Sequence, residues 1–299
     1  MARKSKKSSG AGQAMLADKA TGRMPASDDP INAITLLYRD YSAAQDQRKR
    51  MDLALGAYLR RALGWQKDLP EKERAAIAKE AASIAKDATG TRFEAMVNAT
   101  HMGRACFDVV EDTALKAMTK LATALPAWEW GKDIRGFGAK SLAVIVAEAG
   151  DLSNYPDKSK LWKRMGLAVM GDVRQGGLKK GAGAEAWIEH GYSPKRRSQM
   201  WNVGDTMIKA QVRKVKDDAD EDTGERTSLG EYGRAYLDRK AKKLAANPEM
   251  KPIHAHRDAQ RYMEKRLLRD LWKAWRRASK NMAERPRMVV PATEIAVAA

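Results

Sequence analysis

The 299-residue chain contains one cysteine, Cys106, so no internal disulfide framework can staple it. Cys106 sits in a helical pattern beside Phe107, which predicts a buried, inert thiol. Aromatic residues are scarce, with three Phe and eight each of Tyr and Trp. Histidine occurs four times, at His101, His190, His254 and His256. The His254-x-His256 pair falls short of a zinc site in both spacing and ligand number. No apolar run approaches the roughly 20 residues that a membrane span needs. The basic N-terminus has no apolar stretch of the signal-peptide kind. These absences read as a soluble, intracellular protein. Carboxylates are also outnumbered: 38 Asp and Glu face 56 Lys and Arg, for a net charge of +18. Such a balance favours polyanionic partners.

Catalytic patterns are wanting as well. Gly176-Gly177-Leu178-Lys179-Lys180 has neither the length nor the order of a Walker phosphate loop. No Ser/His/Asp arrangement can be assembled. Glu148 and Asp151 offer two carboxylates near a helix end, too common a pair to define a metal site. Neither a cofactor nor a metal is expected, and spacing alone makes the chain a binder before an enzyme.

What is present is a two-glycine turn. Ile134-Arg135-Gly136-Phe137-Gly138-Ala139-Lys140-Ser141 runs straight into the apolar stretch 142–150. Two glycines one residue apart permit backbone conformations closed to other residues and leave the amides uncovered. The helix that follows aims its free N–H groups and the positive end of its dipole the same way. A turn of this kind takes an anion, and on a basic chain the expected anion is a nucleic-acid phosphate. The pattern is that of a helix–hairpin–helix, which holds the DNA backbone without reading bases. The alternative is an ordinary tight turn between helices.

Around this turn the chain reads as mainly α. Residues 1–30 are a basic tail broken by Gly, Ser and Pro. From Asp29-Pro30, 3-4 spacing through Ile34, Leu37, Tyr41, Ala44, Arg48, Met51, Leu55, Tyr58 and Ala62 predicts a long helix whose seam Arg48 interrupts. A second helix follows Leu69-Pro70-Glu71 to about Ala88. A third spans about 91–125 and buries Phe93, Val97, Phe107, Leu115, Met118, Leu121 and Leu125. Residues 31–125 therefore form a helical, coiled-coil-like arm or hairpin bundle. Pro126 opens a second domain, 126–284, which contains the helix–hairpin–helix. Within it, 150–193 is a glycine-rich, loop-rich insert, a helix runs from Ser193-Pro194 to about Lys216, and an acidic loop covers 217–224. A last helix runs from about His254 to Lys280, with Met263, Leu267, Leu268, Leu271, Trp272 and Trp275 on its apolar side. Residues 285–299 form a second disordered tail.

Basic charge crowds the region after the hairpin, at Lys179-Lys180, Lys195-Arg196-Arg197 and Lys209 to Lys216, and continues along the last helix from Arg257 to Arg277. Any one cluster is as often a solvated face as a binding site. Several around one turn mark a track, to which Arg174 also belongs. Trp162, Trp187 and Trp201 are available to stack on unpaired bases, whereas Trp272 and Trp275 have helical core spacing.

The stretch Asp133–Gly166, with Arg-Gly-Phe-Gly, Ala-Glu-Ala-Gly-Asp and Trp162-Lys-Arg-Met-Gly166-Leu, resembles the C-terminal domain of the IS-one-ten (IS-one-sixteen, IS-nine-oh-two) transposases, relatives of the pilin-gene invertase. Val173-Arg174-Gln175-Gly176-Gly177 is similar to the family's Arg-Gln-Ser-Gly loop, and Arg261–Trp272 to its closing basic helix. The resemblance covers about 127–280. It implies DNA binding in transposition or recombination at a mobile element, in the bacterial cytoplasm at the nucleoid, with structured RNA as a second ligand class. The arm 31–125 would stand for the family's coiled coil and join a second copy or an active recombinase. Two departures limit it. No strand-rich, acidic RuvC-like domain precedes the arm, and Gly176 occupies the place of the proposed serine nucleophile. The expectation is a DNA-binding protein without strand-transfer chemistry of its own, in which Gly136, Gly138, Lys140 and Ser141 hold a phosphate. Arg174, Lys179, Lys180, Lys195, Arg196 and Arg197 would extend the contact. Two alternatives stay open: a recombinase using Ser193, Ser198 or a partner's carboxylates, and a helical scaffold that binds protein through 31–125.

Overall fold

The computed structural model describes residues 29–178, 181–216 and 222–284, and over these the chain is mainly helical. It divides between Ala122 and Thr123 into two compact units. The basic tails, Lys179, Lys180 and most of the acidic loop lie outside the described residues. No helix among the described residues is long and apolar enough to cross a membrane.

The first unit has three helices, α1 (Pro30–Ala62), α2 (Glu71–Lys86) and α3 (Glu94–Ala122). Pro30 takes the first turn of α1, where its missing N–H costs nothing, and the Asp29 carboxylate accepts the Ile31 N–H at 2.9 Å. The contacts of α1 with α3 and the turn just before it run in opposite directions along the two segments. Arg48 meets Glu111 at 3.0 Å, Asp52 meets Arg104 at 3.0 Å, and the Ala62 carbonyl accepts from Arg92. The two helices are therefore an antiparallel pair, and the arginine that interrupts the apolar seam is matched by acids on the facing helix. Toward the far end of α1, Leu55, Leu59, Ala81, Ala88, Phe93 and Val97 close one apolar cluster with α2.

The buried face departs from strict 3-4 spacing. Tyr38 and Leu59 are buried, whereas Leu37 is half-buried and Tyr58 about half-exposed. A straight helix of 3.6 residues per turn drifts against a 3.5 repeat, which moves the seam by one position over several turns. Phe107, Leu115 and Leu121 are only half-buried, and Cys106 is exposed rather than buried. Cys106 lies on the outer face of α3 with Met102 and Val109, four and three residues away. Its thiol donates to the Gly103 carbonyl at 3.1 Å.

The second unit begins with a single helical turn, α4 (Trp128–Gly131), then the two-glycine hairpin and α5 (Ala139–Ala149). A 3-10 turn (Leu152–Asn154), α6 (Lys158–Arg164), a minimal ribbon β1 (Val169–Met170) with β2 (Val173–Arg174), and α7 (Ala184–His190) fill the glycine-rich insert. Then come α8 (Pro194–Gln211), β3 (Val212–Lys216), β4 (Asp222–Ser228), α9 (Glu231–Ala246) and α10 (Pro252–Glu284).

Helix α10 is the spine of this unit. Its Ala255, Ala259, Met263, Leu267, Leu268, Leu271 and Trp275 recur at helical spacing and are fully or almost fully buried. Onto that stripe pack α9, through Tyr232, Ala235 and Tyr236, and α8, through Met200, Val203 and Met207. Helix α5 is buried from Leu142 through Val146 without interruption, so it lies inside the unit rather than on its surface.

Two stretches differ from expectation. The helix from Pro194 stops at Gln211, five residues early, where Val212 begins an antiparallel ribbon with Val212 opposite Ser228 and Lys214 opposite Arg226. Valine is stiff at χ1 and favours extended backbone. The described end of the expected acidic loop, 222–224, belongs to the returning strand. Helix α9 was not anticipated; Tyr232, Ala235 and Tyr236 at i, i+3 and i+4 were its apolar signal.

Candidate nucleic-acid interface

The hairpin is fixed by a turn of its own and by one distant glutamine. Ile134 N–H donates to the Gly131 carbonyl and Phe137 N–H to the Ile134 carbonyl, at 3.1 and 2.9 Å. Phe137 is buried, edge-on to Trp130 with centroids 6.0 Å apart. Gly136 has φ +81°, in the left-handed region, and lies against α8: a β-carbon there would stand 2.8 Å from Met207 Cα. Gln211, buried at the end of α8, donates through Nε2 to the Arg135 carbonyl at 2.7 Å and accepts the Gly233 N–H at 2.8 Å. One amide side chain thus ties the hairpin to α9.

Gly138 is different. It is the N-cap of α5, has no side-chain cap, and a β-carbon built on it would meet nothing within 4 Å. Its carbonyl receives the Ser141 and Leu142 N–H groups. The N–H groups of Gly138 and Ala139 find no acceptor among the described residues. Orphan donors at a helix start, open to solvent, form an anion-receptive point. Exposed Lys140 and half-buried Ser141 lie in the first turn behind it. Arg135, just before the first glycine, is exposed and has no side-chain partner among the described residues. It was not singled out from the sequence, although its place in the Ile-Arg-Gly-Phe-Gly run was the available signal.

The rest of the expected track is elsewhere. Arg196 pairs with Glu148 at the far end of α5, at 3.2 Å, so α5 and α8 run antiparallel. The ten residues from Gly138 to Glu148 correspond to about 15 Å of helix. Lys195 shares that far end and is exposed. Arg197 faces inward instead, 2.9 Å from Glu264, with its side chain 16% exposed and Glu264 at 0%. Arg174 is largely exposed and lies 3.9 Å from Asp258. The sequence-predicted residues among those described therefore fall into a hairpin group (Gly136, Gly138, Lys140, Ser141) and a separate group at the start of α8 (Lys195, Arg196, Arg197), with Arg174 on β2 beside Asp258.

Of the second group, Arg197 alone meets a fully buried carboxylate, Glu264. Glu264 touches the Gln260 amide at 3.1 Å, and Gly204 on α8 leaves just enough room, since a β-carbon there would stand 2.6 Å from Glu264 Oε1. Burial pushes the Glu264 carboxyl up to about 7, against the opposing pull of Arg197. Burial and the neighbouring Arg197 hold Arg261 below the usual guanidinium range.

Most residues of catalytic type have structural partners. Gln175, fully buried, donates to the Lys163 and His190 carbonyls at 2.8 and 2.7 Å and so closes the insert. Next to it, a β-carbon on Gly176 would lie 2.7 Å from Tyr192 Cζ, so a serine at this place would collide with the tyrosine ring. Ser193 caps α8, accepting the Arg196 N–H, and Ser198 is exposed on the same helix. Glu148 takes Arg196, and Asp151 accepts both Ser153 N–H and Trp275 Nε1. Among the described residues no three His, Cys, Asp or Glu side chains converge as metal ligands would. His256 meets the Tyr236 hydroxyl at 2.8 Å. Trp162 and Trp272 donate their N–H groups to the Lys265 and Tyr155 carbonyls, while Trp187 and Trp201 keep 36% and 42% of their surface exposed. Comparison of the chain with protein-family models, with curated proteins and with solved structures found no match in any of the three.

Proposed function

We propose that the second unit binds DNA through its sugar–phosphate backbone, with the Gly136–Gly138 hairpin as the contact point and no strand-transfer chemistry of its own. The observation that carries this reading is the open start of α5, where the Gly138 and Ala139 amides face no acceptor among the described residues and Gly138 has empty space around it. The net charge of +18 supplies the long-range attraction. Arg135 and Lys140 flank the amides, and exposed Lys195, next to Arg196 on Glu148, offers a second contact about the length of α5 away. In this reading the protein is a transposase-like DNA-binding component that occupies mobile-element DNA at the bacterial nucleoid, with the helical arm available to a second copy or a recombinase. Ser193 already serves as a helix cap and Gly176 has no hydroxyl, which disfavours a serine nucleophile at either place.

The test is a salt-titrated binding assay of the full chain on duplex DNA, single strands and structured RNA. Duplex affinity should fall steeply with salt and drop in Gly138→Val, whose side chain the fold accommodates but which shields the amides. Preference for structured RNA would move the reading to an RNA backbone. Weak binding that ignores Gly138→Val would leave the scaffold alternative.

A further inference from the structure

A cleft of about 290 Å³ lies between Trp130 and the outer side of α10. Its walls carry Arg266, Arg269, Lys273 and Arg277 against two carboxylates, Glu231 and Asp270. Arg269 clasps Asp270 with contacts of 2.8 and 3.2 Å. Arg266 holds Glu231 at 3.3 Å through Nη2, while its buried Nε hydrogen-bonds to nothing among the described residues. Both acids are thereby occupied. Lys273 and Arg277 are exposed, meet no carboxylate among the described residues, and stand one helical turn apart on the same face. Two such cations suit one phosphate.

Trp130 forms the aromatic wall of the cleft. Trp162, Trp272 and Trp275 each commit the indole N–H to an acceptor at 2.9–3.0 Å. The Trp130 N–H meets none among the described residues, and its ring is half-buried. It touches Phe137, the residue between the two hairpin glycines, so the cleft adjoins the contact point already described. An indole facing cations is the usual platform for a nucleic-acid base, because every base has a π-face. A paired base, stacked within a duplex, presents no face to it. The volume, about 290 Å³, falls just below the usual range of roughly 300–1,000 Å³ for ligand pockets, which suits a single nucleotide rather than a large cofactor.

We propose that this cleft receives one unpaired nucleotide of the DNA strand held at the hairpin, its base against Trp130 and its phosphate between Lys273 and Arg277. The proposal rests on the backbone-binding reading and adds the form of DNA preferred: a duplex end or junction with an unpaired residue.

The full chain is titrated with a blunt duplex, the same duplex with a short overhang, and that overhang made abasic. The overhang should bind about five- to a hundredfold tighter than the blunt duplex, and removing its bases should abolish the gain. The paired change Lys273→Ala and Arg277→Ala should shrink the gain most at low salt. Trp130→Ala should remove it as well; because that change also touches Phe137, the abasic arm provides the same test without altering the protein. Equal affinity for all three DNAs, with blunt-duplex binding still sensitive to Gly138→Val, would overturn the cleft and spare the hairpin. A base-dependent gain with blunt binding insensitive to Gly138→Val would do the reverse.

Discussion

Gly136 and Met207 meet main chain to main chain: a β-carbon on Gly136 would lie 2.8 Å from Met207 Cα and equally close to Ala210 Cβ. The hairpin is therefore set against α8 by the absence of a side chain, and Gly136 is also in the left-handed region. Gly136→Ala must bear the conformational cost, about 1–2 kcal/mol, and an overlap with backbone that can be relieved only by shifting a helix, about 1–3 kcal/mol. Urea unfolding should show a combined loss of roughly 2–5 kcal/mol. A loss within experimental error would mean that the hairpin is not seated on α8.

Gly138 gives the opposite result, two residues away. It has ordinary extended φ, open surroundings and an uncapped helix behind it. Gly138→Asp would place a carboxylate where it can accept the first free N–H groups of α5 and favour the positive end of the dipole. Because glycine is itself a tolerable N-cap, the gain in stability should be only a few tenths of a kcal/mol to about 1. The same carboxylate would occupy the phosphate position and repel the ligand, so DNA affinity should fall while Tm rises or holds. If both rise together, the amides are not where DNA binds.

These two glycines show what can be read from the sequence alone. A Gly-x-Gly turn before an apolar run declares both a backbone that needs glycine and a helix start that lacks a cap, since both follow from residue type and local order. Arg135 could be found the same way. Gln211 could not: its partners are the Arg135 carbonyl, 76 positions earlier, and the Gly233 amide, 22 positions later, and nothing local marks a glutamine for such a role. The inward turn of Arg197 was hidden for the same reason, because Lys195-Arg196-Arg197 looks uniform until Glu264 is brought beneath it. The helical arm was legible in its elements, and its register was not, because one position of drift decides whether Tyr58 or Leu59 enters the core.

Glu264 predicts a pH dependence of stability. Its carboxyl is raised from 4.5 to about 7 by burial, so the folded chain holds that proton over a range where the unfolded chain has lost it. The stability this group contributes is complete below pH 4.5, falls as pH rises through the window, and is lost above about 7. The shift amounts to about 3 kcal/mol at its fullest. Unfolding of the native chain and of Glu264→Gln, compared from pH 5 to pH 8, should show stability falling in the former relative to the latter. Parallel profiles would place the Glu264 carboxyl in its ordinary range, with Arg197 outweighing burial.

The salt dependence of DNA binding separates the cations that reach phosphate from those the fold uses. Each cation that neutralises a duplex phosphate contributes about 0.9 to the slope of log affinity against log salt. Lys140 and Arg135 are exposed beside the open amides, and Arg174 is largely exposed with only a 3.9 Å approach to Asp258. Arg197 is mostly buried on Glu264. Alanine at Arg135 should reduce the slope by close to one unit and leave the unfolding midpoint nearly unchanged, and alanine at Lys140 should reduce the slope likewise. Arg197→Ala should leave the slope alone and lower stability above about pH 7, where Glu264 is ionised and would lose its cation; removing one partner of such a pair costs about 3–5 kcal/mol when both are deeply buried, and less here because Arg197 reaches solvent. A slope change from Arg197→Ala with unchanged stability would put that guanidinium on the DNA instead of on Glu264, and the two groups of cations would then have to be redrawn as one continuous surface.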